Sequence, residues 1–152
     1  MGCRKLADPV EARILRTTIA SDPFAVREGL AALLRSPMIH ELSEGARGGA
    51  EIVLAEVLNN IVEHGYAGEA GDITVTLRSG PVGVLVEVED QGKAFPREEL
   101  PEGRLPDIDP DKDLPEGGFG WYLIRTLVRD LSYRRIGAGN QVRFCLPRED
   151  NV

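Results

Sequence analysis

Glu56 and Asn60 stand four residues apart in the stretch from Ala50 to Tyr66, a spacing that on an α-helix stacks both side chains on one face about a turn apart. A carboxylate that can take a proton beside a carboxamide oxygen that can ligate a hard cation suits magnesium-dependent phosphoryl chemistry. Asparagine is a mediocre helix former, so the mid-helix pair Asn59-Asn60 needs something to offset its cost. Asp90-Gln91-Gly92 supplies a second carboxylate, able to accept from an exocyclic amine such as adenine's; taken alone it reads first as an ordinary solvated turn. Gly117, Gly118 and Gly120 precede an apolar helical pattern, where unpaired N–H groups favour phosphate, although a hinge or tight turn would read the same. No Gly-Lys-Ser/Thr follows and no strand precedes, which excludes a Walker A loop and a dinucleotide fingerprint.

The elements that must hold these residues can be read in order. Leu54, Val57, Leu58 and Ile61 recur at helical spacing and give the long helix a core face, while Glu56, Asn59, Asn60 and Glu63 form the opposite stripe. Gly65 is expected to end that helix in a positive-φ conformation; His64 either touches nucleotide or, as the favoured reading, simply closes the helix. Before it, Ala12–Ile19 reads as a strand and Phe24–Leu34 as a helix ended by Ser36-Pro37. Met38–Gly49, with its three glycines, reads as a loop or as a loop plus the first turn of the long helix. Asp72–Arg78 and Val82–Asp90 alternate as a hairpin with one apolar face. The Pro- and acid-rich stretch after them, about residues 95–117, is long enough to be a lid or binding loop. Trp121–Leu131 then reads as a helix with Trp121 in the core or on a partner surface, and Ser132–Ile136 and Gln141–Leu146 as the last two strands. Paired hairpins separated by helices predict an α+β two-layer sandwich: a mixed, largely antiparallel sheet with helices packed on one face.

Composition bounds the partners. The 152 residues are most economically one domain, 1–152, with 42% hydrophobic and 28% charged residues. A formal net charge of −7 and no visible basic patch argue against a nucleic-acid partner. Cys3 and Cys145 form no metal-type spacing, and no apolar run resembles a signal peptide or membrane span, so no membrane association and a reduced, cytoplasmic compartment are expected. Leu6 stands where a myristoylation motif needs Ser or Thr.

In this order, Glu56-x-x-x-Asn60, Asp90-x-Gly92 and Gly117-Gly118-x-Gly120 resemble the N, G1 and G2 boxes of the gyrase, chaperone, histidine-kinase and mismatch-repair (GHKL) ATPase superfamily, the Bergerat fold. The stretches around Glu56–Tyr66 and Gly117–Leu127 most resemble the bacterial anti-sigma factor serine kinases, and the likeness spans roughly Ile14–Leu146. The resemblance implies ATP and Mg²⁺ as cofactors. It implies that Asn60 ligates the Mg²⁺, with Asn59 beside it among the nucleotide-binding residues. Asp90 would bind the adenine amine with Gly92 making room, Gly118 and Gly120 would contact phosphates as the lid closes, and Glu56 would be the catalytic base for a serine hydroxyl. Relatives carry Thr or Ser near the adenine where this chain has Asn140-Gln141. Arg97, Arg104 and Lys112 are the lid cations that could reach phosphate.

The function implied by the resemblance is that of a serine-protein kinase and anti-sigma factor of a partner-switching module. It would act on a STAS-domain anti-anti-sigma protein, with a sigma factor or another output regulator as second partner; a homodimer is implied by resemblance alone. Two other functions stay open: an ATP-binding module that sequesters a partner without phosphorylating it, and a detached histidine-kinase catalytic domain.

Overall fold

The computed structural model describes residues 13–103 and 119–149. Five strands form one sheet in the order β1-β2-β3-β5-β4: β1 Ile14–Ala20, β2 Asp72–Ser79, β3 Gly83–Asp90, β4 Arg129–Ile136 and β5 Gly139–Pro147. The expected largely antiparallel sheet is found, and all of its pairings are antiparallel. The helices are α1 Pro23–Leu34, α2 Pro37–His40, α3 Glu44–Asn60 and α4 Gly120–Leu127, with a π turn at Ile61–Gly65 and a 3₁₀ turn at Pro96–Glu98.

Capping sets three helix starts. Asp22 accepts from the Phe24 N–H at 2.9 Å with Pro23 in the first turn, Ser36 accepts from Met38 N–H at 3.2 Å ahead of Pro37, and Ser43 accepts from Ala46 N–H at 3.2 Å. The Ser43 cap carries α3 through Gly45, Gly48 and Gly49, so of the two readings of Met38–Gly49 the loop plus start of the long helix is the nearer, with the helix already running from Glu44. Glycine's weak propensity is outweighed there by packing: a Cβ on Gly49 would already touch Leu127 of α4, at 3.5 Å.

Strict alternation in β2 turns Ile73, Val75 and Leu77 inward, where they meet Leu54, Val57, Leu58 and Ile61 of the α3 stripe, all buried. Each such side chain contributes about 1.5–3 kcal/mol of burial. That face anchors α3, and its other face is thereby turned outward from the core.

Two boundaries differ from expectation. The last helix stops at Leu127, with Val128 already extended at φ −114° and ψ 167°. Val128 and Leu131 do turn apolar surface toward the core, but from the extended residue before β4 and from its first residues, where β4 pairs Arg129 with Cys145 and shifts register before Ser132. Gly65 does not take positive φ; that conformation falls on Ala67 at 51° and Gly68 at 85°. Instead the chain widens after Asn60, and the Tyr66 N–H donates to the Ile61 carbonyl five residues back at 2.8 Å.

Candidate functional site

The widened turn brings Gly65 against the loop after β3. The Lys93 N–H donates to the Gly65 carbonyl at 2.9 Å, and a Cβ on Gly92 would fall 2.6 Å from the Gly65 carbonyl carbon and oxygen. Gly92 is therefore glycine because another backbone occupies the space beside it, and the room it makes is taken by Gly65. Tyr66 fastens the same junction: its hydroxyl donates to the Asp72 carbonyl at 2.6 Å and accepts from the Gln91 N–H at 2.7 Å.

Between the π turn, the Gly92–Phe95 segment and α4 lies a cavity of about 620 Å³, a size that suits a small organic ligand. Asn60, Asp90, Lys93, Trp121 and Asn140 line it, with Phe95 edge-on to Trp121 at 5.5 Å between ring centres. Trp121 is buried in the core as expected, with one side left to the cavity wall. His64 is exposed and sits 3.9 Å from Glu63, and both lie on the rim.

Asp90 is 4% exposed at the end of β3. Asn140 donates to its Oδ1 at 2.9 Å and the Gly92 N–H donates to the same atom at 2.8 Å. Oδ2 receives neither donor and keeps its acceptor capacity. Burial pushes the Asp90 carboxyl above the usual carboxylate range, while the Asn140 amide, the Gly92 N–H and the nearby Arg135 guanidinium pull the other way.

On α3, Asn60 spends its amide nitrogen on the Glu56 carbonyl one turn back, at 3.0 Å, which leaves Oδ1 as the atom available to a cation. Among the described residues no trio of His, Cys, Asp or Glu converges as a metal site. A magnesium held by Asn60 would thus draw its other ligands from phosphate and water, the habit of that ion. The Glu56 carboxylate lies against the first residue of α4: a Cβ on Gly120 would stand 2.5 Å from Glu56 Oε2 and 3.7 Å from Asn60 Nδ2. Among the described residues no side chain caps α4, whose first turn begins with Gly120 beside Glu56.

The structure thus gathers Asn60 and Asp90 around one cavity and sets Glu56 and Gly120 together beside it. Asn59 is exposed and does not line the cavity. Gly118, Arg104, Lys112 and the greater part of the expected lid lie outside the described residues. The part of the lid that is described, up to Gly103, packs on α4: Arg125 donates to the Pro101 carbonyl at 2.8 Å. Arg97 is exposed there at φ 59°. Sequence reasoning missed Lys93 and Arg135, because single basic residues in a loop and on a strand carry no spacing signal.

Residues 19–146 match the model of the histidine kinase-like ATPase domain family. Among curated proteins, a serine-protein kinase RsbW of Bacillus cereus is 36% identical over 83 residues, 53% of this chain and 52% of the relative. The RsbW of Bacillus mycoides matches to the same extent, 36% over 83 residues. The matched region spans about half the length of these relatives. No helix among the described residues is long and apolar enough to cross a membrane.

Proposed function

Because the chain belongs to the histidine kinase-like ATPase domain family, we propose that it is an ATP-dependent serine-protein kinase and anti-sigma factor, phosphorylating a serine of a STAS-domain anti-anti-sigma protein. A sigma factor or another output regulator is its second partner, and a homodimer its assembly. The similarity to serine-protein kinases over half the chain supports this choice of activity. The single observation that carries it is the meeting of three groups: the Glu56 carboxylate, the Asn60 amide and the uncapped start of α4 at Gly120.

In this reading Asp90 Oδ2 accepts from the adenine amine, and Gly92 holds the loop against Gly65 so that the carboxylate keeps its place. Asn60 Oδ1 holds magnesium, which when bound neutralises phosphate charge. The N–H groups at Gly118 and Gly120 meet the phosphates, and the lid, about 95–117, closes over them, with Asn59 at the nucleotide's outer edge. Glu56 takes the proton as the serine Oγ bonds to the γ-phosphorus, and the bond from that phosphorus to the β,γ-bridging oxygen breaks to release ADP. The chain's contribution is positioning and charge, which is what phosphoryl transfer asks of a protein.

The test is transfer of labelled γ-phosphate to a cognate STAS protein by wild type and Glu56→Gln. Loss of transfer with ATP binding kept supports the assignment; equal transfer by both removes Glu56 from its role. A second reading, an ATP-binding module that sequesters a partner without phosphorylating it, is favoured by the position of Glu56 outside the cavity lining. Tight MgATP binding and partner capture with no phosphoserine formed would select it.

A further inference from the structure

Asn140, on β5, is 3% exposed and stands opposite Asp90 in the β3–β5 register. Its Nδ2 donates to Asp90 Oδ1 at 2.9 Å, to the Lys93 carbonyl at 2.8 Å and to the Gly92 carbonyl at 3.3 Å. Its Oδ1 accepts from the Tyr133 hydroxyl at 2.6 Å and from Arg135 Nη1 at 3.0 Å.

These partners fix the amide's orientation. A guanidinium can only donate, while backbone carbonyls and a carboxylate can only accept. Flipping the amide would set its oxygen against three acceptors and its NH₂ against a donor. With Nδ2 held on Oδ1, and the Gly92 N–H on the same oxygen at 2.8 Å, Asp90 keeps Oδ2 as its free acceptor. Donors that only donate also favour the ionised carboxylate, the form that accepts from an N–H and repels a carbonyl oxygen.

We propose that Asn140 is the positioning residue that decides which Asp90 oxygen meets the purine base, and through it selects a 6-amino purine over a 6-oxo purine. This rests on the nucleotide reading of the cavity and goes beyond it, since the discrimination is assigned to a residue that acts through Asp90. The same amide, holding the Gly92 and Lys93 carbonyls, ties the base subsite to the root of the lid.

Calorimetric titration of ADP and of inosine diphosphate with magnesium, from about pH 4, the ordinary carboxylate range, upward to neutrality, tests it. The two ligands differ at position 6 of the purine and, with it, at N1, which accepts in the 6-amino base and carries a proton in the 6-oxo base. Wild type is expected to prefer ADP by about a hundredfold, the loss expected when a buried charged acceptor is left without its donor. Asn140→Ala should lose about tenfold in ADP affinity, the loss expected for one hydrogen bond to a charged group. Its inosine diphosphate affinity should stay near wild type, so that the preference shrinks. The acid limb of its ADP affinity should also move to higher pH, because Asp90 has lost a donor that held it ionised.

Lys93 from the loop and Glu63 and His64 from the π turn line the same cavity, Arg135 and Tyr133 from β4 hold Asn140, and all are common to both proteins. The displacement between the two profiles therefore reports Asp90. Tyr133→Phe, which removes the hydroxyl that pins Asn140 Oδ1, should move both readouts the same way by a smaller factor, and it decides the matter should Asn140→Ala fail to fold. Equal losses for both nucleotides with the acid limb unmoved, or profiles superimposable on wild type, would overturn the proposal and leave the nucleotide site standing. A wild type that binds neither nucleotide would remove both.

Discussion

The Glu56 carboxylate rests against Gly120, with Oε2 lying 2.5 Å from the point where a Cβ on that glycine would stand. A side chain from the middle of α3 and the first residue of α4 thus share a space that only glycine leaves open.

Gly120→Ala should keep the fold, because the atom it displaces is the far end of a flexible side chain. Glu56 must swing aside, so γ-phosphate transfer should fall by about tenfold or more while ADP affinity changes far less. A transfer assay beside a thermal melt checks this; unchanged transfer would mean that Gly120 does not set the Glu56 position.

Gly92→Ala meets backbone, which cannot step aside. With the Gly65 carbonyl 2.6 Å from the added carbon, the expected loss is about 1–3 kcal/mol, seen as a lower denaturation midpoint. Gly65→Ala is the matched control: its Cβ would meet Ile61 and Asp90 at 3.6 and 3.8 Å, ordinary contact, and its stability should stay near wild type.

Asp90→Asn should separate stability from binding. Burial raises the folded-state pKa of Asp90, so the folded chain holds that proton to higher pH than the unfolded chain does. Wild-type stability therefore falls as pH rises from the ordinary carboxylate range through the raised value, then levels off. Asparagine can still accept from Asn140 and Gly92, so the variant should match wild type at the acid end and equal or exceed it near neutrality. Its nucleotide affinity should collapse. Urea midpoints across this pH range check the sign; a variant that weakens relative to wild type as pH rises would contradict it.

Tyr66→Phe leaves the Gln91 N–H without its acceptor and the Asp72 carbonyl without its donor. The expected cost is about 1–3 kcal/mol. Because this hydroxyl ties the π turn to the ends of β2 and β3, ADP affinity should weaken as well, which paired denaturation and binding measurements would show.

Periodicity makes the long helix, the central hairpin and the antiparallel character of the sheet readable, since a side-chain period of 3.6 or 2 is a local property of the chain. The stripe Leu54, Val57, Leu58 and Ile61 is buried as the spacing predicts. At the last helix the apolar spacing runs on to Leu131, past the true end at Leu127, because Val128 and Leu131, three apart, fit a helical face. In the folded chain the register shift between Arg129 and Ser132, with Asp130 at φ 55°, turns both toward the core from extended backbone. The pairing of Arg129 with Cys145 decides between helix and strand, a contact no local window contains.

The order of residue types by itself determined that a carboxylate and an amide share one helical face, that a second carboxylate closes a strand, and that glycines precede the next helix. Those are statements about neighbours along the chain. Only the tertiary structure decided that Gly92 is small for the sake of Gly65, that Glu56 faces Gly120, and that Asn140 holds Asp90 from fifty positions away. Close packing and hydrogen bonding act between atoms a few ångströms apart in space, and the distance along the sequence does not enter them.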